Sequence, residues 1–499
     1  MMRELRGLVT TSICLPALAL ALVVGWAGPS RADDVGAESD DPVPARAPRT
    51  PEPGPSEAAP APGSSQPDSQ VPDEPRQRDR NLVAGRHAGP GHDGSHTGLL
   101  EKIWTRDTLT GNWGGLRTDL HDRGVDLQVR LSQYGQWVTS GGVDTNGEYG
   151  GRVDYRLNAN LTKLVGAWDG LSVNLHAMSR FGNDIGADAG AFALPNAGLL
   201  MPLPGDWEGT QVTGLTVTQS LFDGRADVFF GKLDVIDLVT GFFPWVGFGQ
   251  EGFWNVNGMV TALPWFGAVR GLSLWGGGGW TVKNEMVQGG FVFTGTENVT
   301  TSWEFSDSFD HGVFLAGFYR FFWELGDKPG NILFFAGGST RDQASNEPHD
   351  IIAIPGQGIV STDQKNPWDI AVYVQQEFWQ AENDPSRKAQ FVIGGTGGPD
   401  NPQFAQWHLF GMVEAYGPMA SRPRDRMGVS AWVNGLSDNF RDDVSPLVDV
   451  RSTTWGMELY YNLEINKWLH LTPDLQLVKN ATKGDNMAII PGIRMVIDF

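Results

Sequence analysis

Between Leu469 and Leu477 the odd positions are Leu469, Leu471, Pro473, Leu475 and Leu477, and the even positions are His470, Thr472, Asp474 and Gln476. The chain ends on the same rhythm, with Ile493, Met495, Ile497 and Phe499 set against Arg494 and Asp498. Successive side chains of a strand point to opposite faces, so both segments predict strands with one apolar face and one polar face. A half-buried strand of a soluble sheet alternates in the same way. What separates the two cases is how often the pattern recurs. In residues 149–161, Gly151, Val153, Tyr155, Leu157, Ala159 and Leu161 oppose Arg152, Asp154, Arg156, Asn158 and Asn160. Leu171, Val173, Leu175 and Ala177 oppose Ser172, Asn174 and His176. Trp407, Leu409, Gly411 and Val413 oppose Gln406, His408 and Glu414, and residues 455–465 place Glu458, Asn462 and Glu464 against Trp455, Met457, Leu459, Tyr461, Leu463 and Ile465. Several apolar faces carry an aromatic residue near an end.

Turn chemistry divides these strands. Asp223-Gly224 predicts a tight hairpin between residues 215–221 and 225–231, and Asn434-Gly435 reads as a similar turn cue. Gly276 to Gly279 lie inside a strand-like stretch, which points to close backbone approach or a bend. Residues 314–322 are aromatic on both faces, which suits packing against a neighbouring subunit. Residues 195–207 and 341–367 are polar or rich in Pro and Gly and read as long external loops, a kind that often folds inward to narrow a channel. Ahead of the strands, Asn112 is placed to cap a short helix running to Arg123, with Leu116 and Leu120 on one face and Gly124 as its stop.

The amino terminus is a different kind of sequence. Arg3 and Arg6, an apolar run from Leu8 to Val24 and the small residues around Ser30-Arg31-Ala32 predict a secretion signal over residues 1–32. A retained anchor fits less well, because Pro16 interrupts the run. Residues 33–98 hold Pro-rich runs and almost no aromatic or β-branched residues, so they read as a disordered tether. His87, His92 and His96 at its end lack the packed partners that metal ligands need, and no metal or other cofactor is expected. Cys14 is the only cysteine and falls within the signal, so the mature chain is expected to carry no disulfide.

No later segment reaches about 18 consecutive apolar residues, and mean hydropathy is only −0.25. A closed barrel satisfies its backbone between strands and needs only every second side chain to be apolar, so it looks soluble by hydropathy. The 375 residues from Val125 to Phe499 suit about 16 spanning strands at roughly ten residues each plus turns and loops. The expected fold is therefore all-β, a transmembrane antiparallel β-barrel preceded by a short helical segment, residues 99–124, at the periplasmic mouth. A net charge of −21 argues against nucleic acid as a partner.

No catalytic constellation is present: there is no Gly-x-Ser-x-Gly elbow, no His-Glu-x-x-His and no phosphate-cradling glycine loop. Glu458 and Glu464 are spaced as one strand face, which a hydrated wall explains better than a glycosidase pair. The inner-face charges are the candidate site. Arg130, Arg152, Asp154 and Arg156 come from two successive amino-terminal strands, His176 from the third and Arg494 from the last, and closure of a barrel brings the last strand beside the first. Glu458, Glu464 and Asp474 add acids to the same lumen. Guanidinium groups held by carboxylates match sugar hydroxyls as donor and acceptor arrays, and Asp154 is placed to hold the three arginines. The bland alternative is that these charges hydrate a wide lumen and neutralise one another.

The stretch Leu109-Thr110-Gly111-Asn112-Trp113-Gly114-Gly115-Leu116-Arg117-Thr118-Asp119-Leu120, followed by Gly124-Val125, resembles the amino-terminal motif of the OprB family of carbohydrate-selective porins. Asn112 stands where many members have Asp. Gly231-Lys232-Leu233-Asp234 after a hairpin and the terminal Phe499 extend the likeness over residues 99–499. The resemblance implies a 16-stranded barrel in the outer membrane of a Gram-negative bacterium that admits monosaccharides and similar small polar solutes. The partners it implies are small sugars, outer-membrane lipid and the barrel assembly machinery, with room for a homo-oligomer. A general diffusion porin of the same fold and a secreted soluble carbohydrate-binding β protein are the alternatives.

Overall fold

The computed structural model describes residues 103–499, except 201–208, 248–249, 263, 269–270, 284–285, 355–357, 362 and 446–447. The signal segment and the Pro-rich stretch of residues 33–98 lie outside the described residues. Among those described, sixteen long strands form one antiparallel barrel. They are β1 (Val125–Trp137), β2 (Gly147–Asn160), β3 (Leu171–Gly182), β4 (Thr210–Leu221), β5 (Ala226–Asp234), β6 (Ser273–Lys283), β7 (Val287–Gly295) and β8 (Val313–Leu325). The second half comprises β9 (Lys328–Ser339), β10 (Trp368–Ala381), β11 (Asp384–Gly397), β12 (Ala405–Tyr416), β13 (Arg426–Leu436), β14 (Thr453–Asn466), β15 (Leu469–Lys479) and β16 (Asn486–Asp498). Each strand pairs with its sequence neighbours, and β1 closes on β16 from Arg130↔Asp498 to Gln136↔Gly492. A three-residue strand, Ser140–Gly142, adds to the edge of β16.

Register follows the alternation. Tyr155, Leu409, Leu459, Leu475 and Ile493 are exposed on the outside, while Arg152, His408, Glu458, Asp474 and Arg494 are buried on the inside. A one-residue slip would move these charges into hydrocarbon at about 2–4 kcal/mol for each midplane Arg. Exposed aromatics band the outer wall at both ends: Trp137, Tyr149, Trp368, Trp407 and Trp455 at one, Phe321, Phe378 and Trp379 at the other.

Turns are short at one end. Residues 222–225 close β4 on β5, with Asp223 and Gly224 at φ 58° and 76° and Arg225 N–H donating to the Phe222 carbonyl at 3.3 Å. That is the expected hairpin, with a loop longer than the two-residue cue. Two other cues resolve differently. Leu161 does not continue β2 but starts a short helix, Leu161–Val165, because the Asn160 side chain accepts the Lys163 N–H. Asn434-Gly435 is not a turn; both residues sit within β13, paired to β12 and β14. Gly435 serves as space there, since a Cβ would meet the Trp407 indole at 2.0 Å. Gly278 has a similar role in β6, where a Cβ would lie 2.4 Å from the Phe291 carbonyl.

The helix ahead of β1 is split. Gly114 and Gly115 take φ of 70° and 105°, leaving a single turn at Trp113–Gly115 and then α1, Leu116–Asp122. Asn112 still serves it, accepting Thr118 N–H at 3.0 Å across the break. Polar contacts hold this segment to the barrel seam. Arg117 donates to the Phe499 carbonyl at 2.7 Å, Leu109 N–H to that of Asp498 at 2.8 Å, and the Trp468 indole to that of Ile103 at 2.8 Å. Leu116 is exposed rather than seated on an apolar surface.

Candidate functional site

The connection from β5 to β6 runs inward: its described residues between 235 and 272 pack inside the barrel. The connection begins with α3, Val235–Phe242 (α2 being Leu161–Val165), whose N-cap is Asp234: its Oδ1 accepts Ile236 N–H at 2.8 Å and Asp237 N–H at 3.2 Å. Beyond α3 the chain turns through Trp245, Phe253 and Trp254, all fully buried. The wall grips it from many strands. Glu458 of β14 accepts Trp254 N–H at 2.5 Å and Asn255 N–H at 2.9 Å. Asn255 donates to Gln476 of β15 at 3.0 Å, and Arg494 of β16 donates to the Gly252 carbonyl at 3.1 Å. Arg426 of β13 donates to the Trp245 carbonyl at 3.1 Å, and Arg320 of β8 binds that of Phe242. In the connection from β3 to β4, the described segment around Pro195 also turns inward: Gln136 and Gln476 both donate to the Pro195 carbonyl, at 3.3 and 2.8 Å.

This inward packing sorts the nine residues singled out by sequence. Arg152 (0% exposed), Asp154, His176 (3%), Glu458 (1%), Asp474 and Arg494 (0%) are on the inner face but buried beneath the connections. Arg130 and Arg156 reach the remaining opening. Glu464 lies at the short-turn end, 3.2 Å from Arg424. The reading of Glu458 and Asp474 as a hydrated acidic wall is therefore corrected, because the loops cover them. Asp154 pairs with Arg152 at 3.0 Å and stands 3.9 Å from Arg156, but Arg130 has other partners. Those partners are Asp498, met at 2.6 and 3.0 Å through two nitrogens, and Glu251, met at 2.7 Å.

The opening is thus rimmed by matched charges: Arg130 with Asp498 and Glu251, Arg156 with Asp237 at 3.1 Å, and Arg426, which is held from beneath by the buried Glu414 at 2.7 and 3.1 Å. Arg426 also stacks on Tyr416, 4.7 Å from the ring centre. The Arg130 guanidinium beside it holds the Glu251 carboxyl down to about 2. Burial pushes Asp237 upward, yet His176 and Arg156 outweigh it and leave the carboxyl well below its usual range. Sequence reasoning missed Glu251, Asp237 and Arg426, and with them the inward connection, and it set Glu414 on a polar strand face without giving it a role. A visible signal was the length of the interval from Asp234 to Ser273, too long for a turn and rich in aromatics without alternation. Lys232, in the segment quoted for the family likeness, is not in the lumen. It sits on the outer face, donating to the Thr300 and Ser302 carbonyls at 3.2 and 3.0 Å beneath the Trp303 ring.

A closed barrel with an apolar outer belt and an interior narrowed by inward connections to a charged rim defines an outer-membrane pore. The family pattern described as "Carbohydrate-selective porin, OprB family" matches residues 144–499. Porin B of Pseudomonas aeruginosa is 24% identical over 440 residues, covering 78% of this chain and 91% of that protein. The high-pH structure of Pseudomonas putida OprB superposes with a TM-score of 0.67 at 18% identity, covering 79% of this chain and 99% of the other. The chain belongs to the OprB family of carbohydrate-selective porins, and its membrane is the outer membrane of a Gram-negative bacterium.

Proposed function

We propose that the protein carries monosaccharides and similarly small polar solutes passively down their gradients, with the rim of Arg130, Arg156, Glu251, Asp237 and Arg426 as the zone where a sugar is sorted. The observation that carries this reading is that each arginine at the opening has a carboxylate partner within 3.1 Å. Paired charges offer fixed donors and acceptors to hydroxyls without the strong net field that would trap a counter-ion. Contacts made this way are weak and exchangeable, as flux requires. Nothing in this arrangement calls for bond-breaking chemistry, and the pore acts as a channel.

The outer belt is proposed to face lipid directly, with the exposed Leu315, Tyr319 and Phe321 of β8 as the region where a second copy would pack. Phe499 is proposed as the end read by the barrel assembly machinery. Current block in planar bilayers, measured across a panel of monosaccharides, tests the transport reading. Concentration-dependent block that differs among sugars supports it, and equal, unsaturable passage of every small solute would replace it with general diffusion. Changing both Arg130 and Arg156 to Ala should raise cation conductance and weaken glucose block severalfold; unchanged values would place the sugar contacts elsewhere on the inward connections.

A further inference from the structure

His176 of β3 lies between two elements that have to be held together. Its Nε2 is 2.9 Å from Asp154 Oδ1 on β2. Its Nδ1 is 2.9 Å from Asp237 Oδ2 in α3 and 3.1 Å from Asp234 Oδ2 at the N-cap of that helix. Both ring nitrogens therefore face carboxylate oxygens at hydrogen-bond distance. A neutral imidazole has one donor and one acceptor nitrogen, so it would set a lone pair against a carboxylate on one side; only the imidazolium donates on both. The surrounding charges agree. Around the ring stand Asp154, Asp234 and Asp237, balanced by Arg152 on Asp154 Oδ2 at 3.0 Å and Arg156 on Asp237 Oδ1 at 3.1 Å. Three carboxylates and two guanidiniums leave room for one further cation. Gln250, from the same inward connection, also donates to Asp154.

We infer that His176 is a fixed imidazolium that pins the first helix of the inward connection to the barrel wall, and so acts as a positioning residue for the sugar opening rather than as a sugar ligand. The ring is buried, so a solute does not reach it, whereas Asp237, which it holds, and Arg156, which Asp237 holds, both reach the opening. The chain of contacts runs from Asp154 through His176 to Asp237 and on to the Arg156 guanidinium at the rim. The amino end of α3 stays tethered where β5 ends at Asp234, but loss of the pin lets the Asp237 and Arg156 side chains swing out of register. The opening then becomes wider and less selective, while the sixteen strands, whose ladder bonds do not involve this ring, stay closed. This rests on the sugar-pore reading, but its central claim about charge and attachment is measurable apart from transport.

The His176→Gln variant, the Asp237→Asn variant and the double variant test it in the full-length protein. A glutamine cannot reach carboxylates on both sides, and an asparagine removes the ionic partner in α3. Each single variant is expected to migrate as heat-resistant folded barrel, conduct more, and bind glucose about five- to tenfold more weakly in current-block measurements. The double variant should be little worse than either single one, because both remove the same attachment. Fully additive effects, or glucose block unchanged in both singles, would overturn the proposal. Nitrogen NMR of protein labelled at histidine, with the His176 signal assigned by its absence in the Gln variant, should show both ring nitrogens protonated. A deprotonated Nδ1 would overturn it too, as would a stoichiometric divalent cation retained by wild type and lost from the Gln variant, since His176, Asp234 and Asp237 are also spaced to hold a metal ion. Should the Gln variant fail to fold, Asp237→Asn decides the matter: wild-type conductance and wild-type glucose block in that variant would overturn the proposal. Absence of glucose block in wild type would count against the sugar-pore reading and leave the protonation result to stand alone.

Discussion

Changing Glu458 to Ala should detach the middle of the inward connection while leaving the barrel intact. The carboxylate receives two backbone N–H groups, from Trp254 and Asn255, in a place where the side chain is 1% exposed. Removing it strands both donors, at roughly 1–3 kcal/mol each. Water entering the vacated space would recover part of that, so a net loss of about 3 kcal/mol is the working figure. At about 1.4 kcal/mol per factor of ten, that multiplies the detached population by roughly a hundred. Trp245, Phe253 and Trp254 are fully buried in the folded protein, so detachment exposes new chymotryptic sites in this connection. Proteolysis of the detergent-solubilised porin should cut there at least tenfold faster, and single-channel conductance should rise as the loop swings aside. Glu458→Gln, which keeps one acceptor oxygen, should give an intermediate result. Heat-resistant migration of the barrel should persist in both variants. If Glu458→Ala keeps wild-type conductance and wild-type protease resistance, the loop is held by its apolar packing alone and the two hydrogen bonds are dispensable.

The remaining expectations concern the segment ahead of β1 and the charged rim. Arg117→Ala removes the contact to the Phe499 carbonyl; a loss of about 1–2 kcal/mol for a charged hydrogen bond that is only partly buried should make residues 103–123 more protease-sensitive without changing conductance. For Glu251, Arg130 depresses the carboxyl to about 2 in the folded protein. A depressed acid contributes stability above its unfolded value and loses it as pH falls through the folded one. Glucose block should therefore stay level from pH 7 to about 3 and fade only below that. A midpoint between pH 4 and 5 would show that Arg130 and Glu251 are not in contact.

The strands were legible because lipid and lumen are different solvents, and each strand has to satisfy both at a period of two. Residues 151–159 and 471–477 could hardly be read otherwise. The sign and side of Arg152, Arg156 and Arg494 were legible for the same reason. Their partners were not. Arg130 is matched by Asp498 and Glu251, and Arg156 by Asp237, contacts that join residues 368, 121 and 81 positions apart. Closure of the barrel predicts the first, but the other two depend on a connection folding inward. That connection carries no period of its own, because its grip comes from single polar atoms on many strands. Asn434-Gly435 misled for a related reason: the local turn propensity is real, but Trp407 needs the space at Gly435, and the β13 ladder outweighs the cue.

On the proposed reading, the rim should favour a neutral solute over an ion. Each arginine at the opening is close enough to a carboxylate for the pair to act as a dipole, whose field falls away faster than that of a lone charge and is further cut by salt within about 8–10 Å. A passing ion therefore finds no deep well. A sugar approaches closely enough to meet the donors and acceptors singly, and there the pairs are not equivalent. Asp498 holds Arg130 through two bonds from a strand, whereas Glu251 holds it through one from the inward connection and is 54% exposed at the side chain. A hydroxyl can displace Glu251 from the guanidinium while Asp498 keeps the arginine paired and in place. Binding then costs one exchangeable hydrogen bond rather than an unpaired buried charge, and release restores it. Such an exchange keeps a sugar site weak enough for flux and still shaped enough to choose.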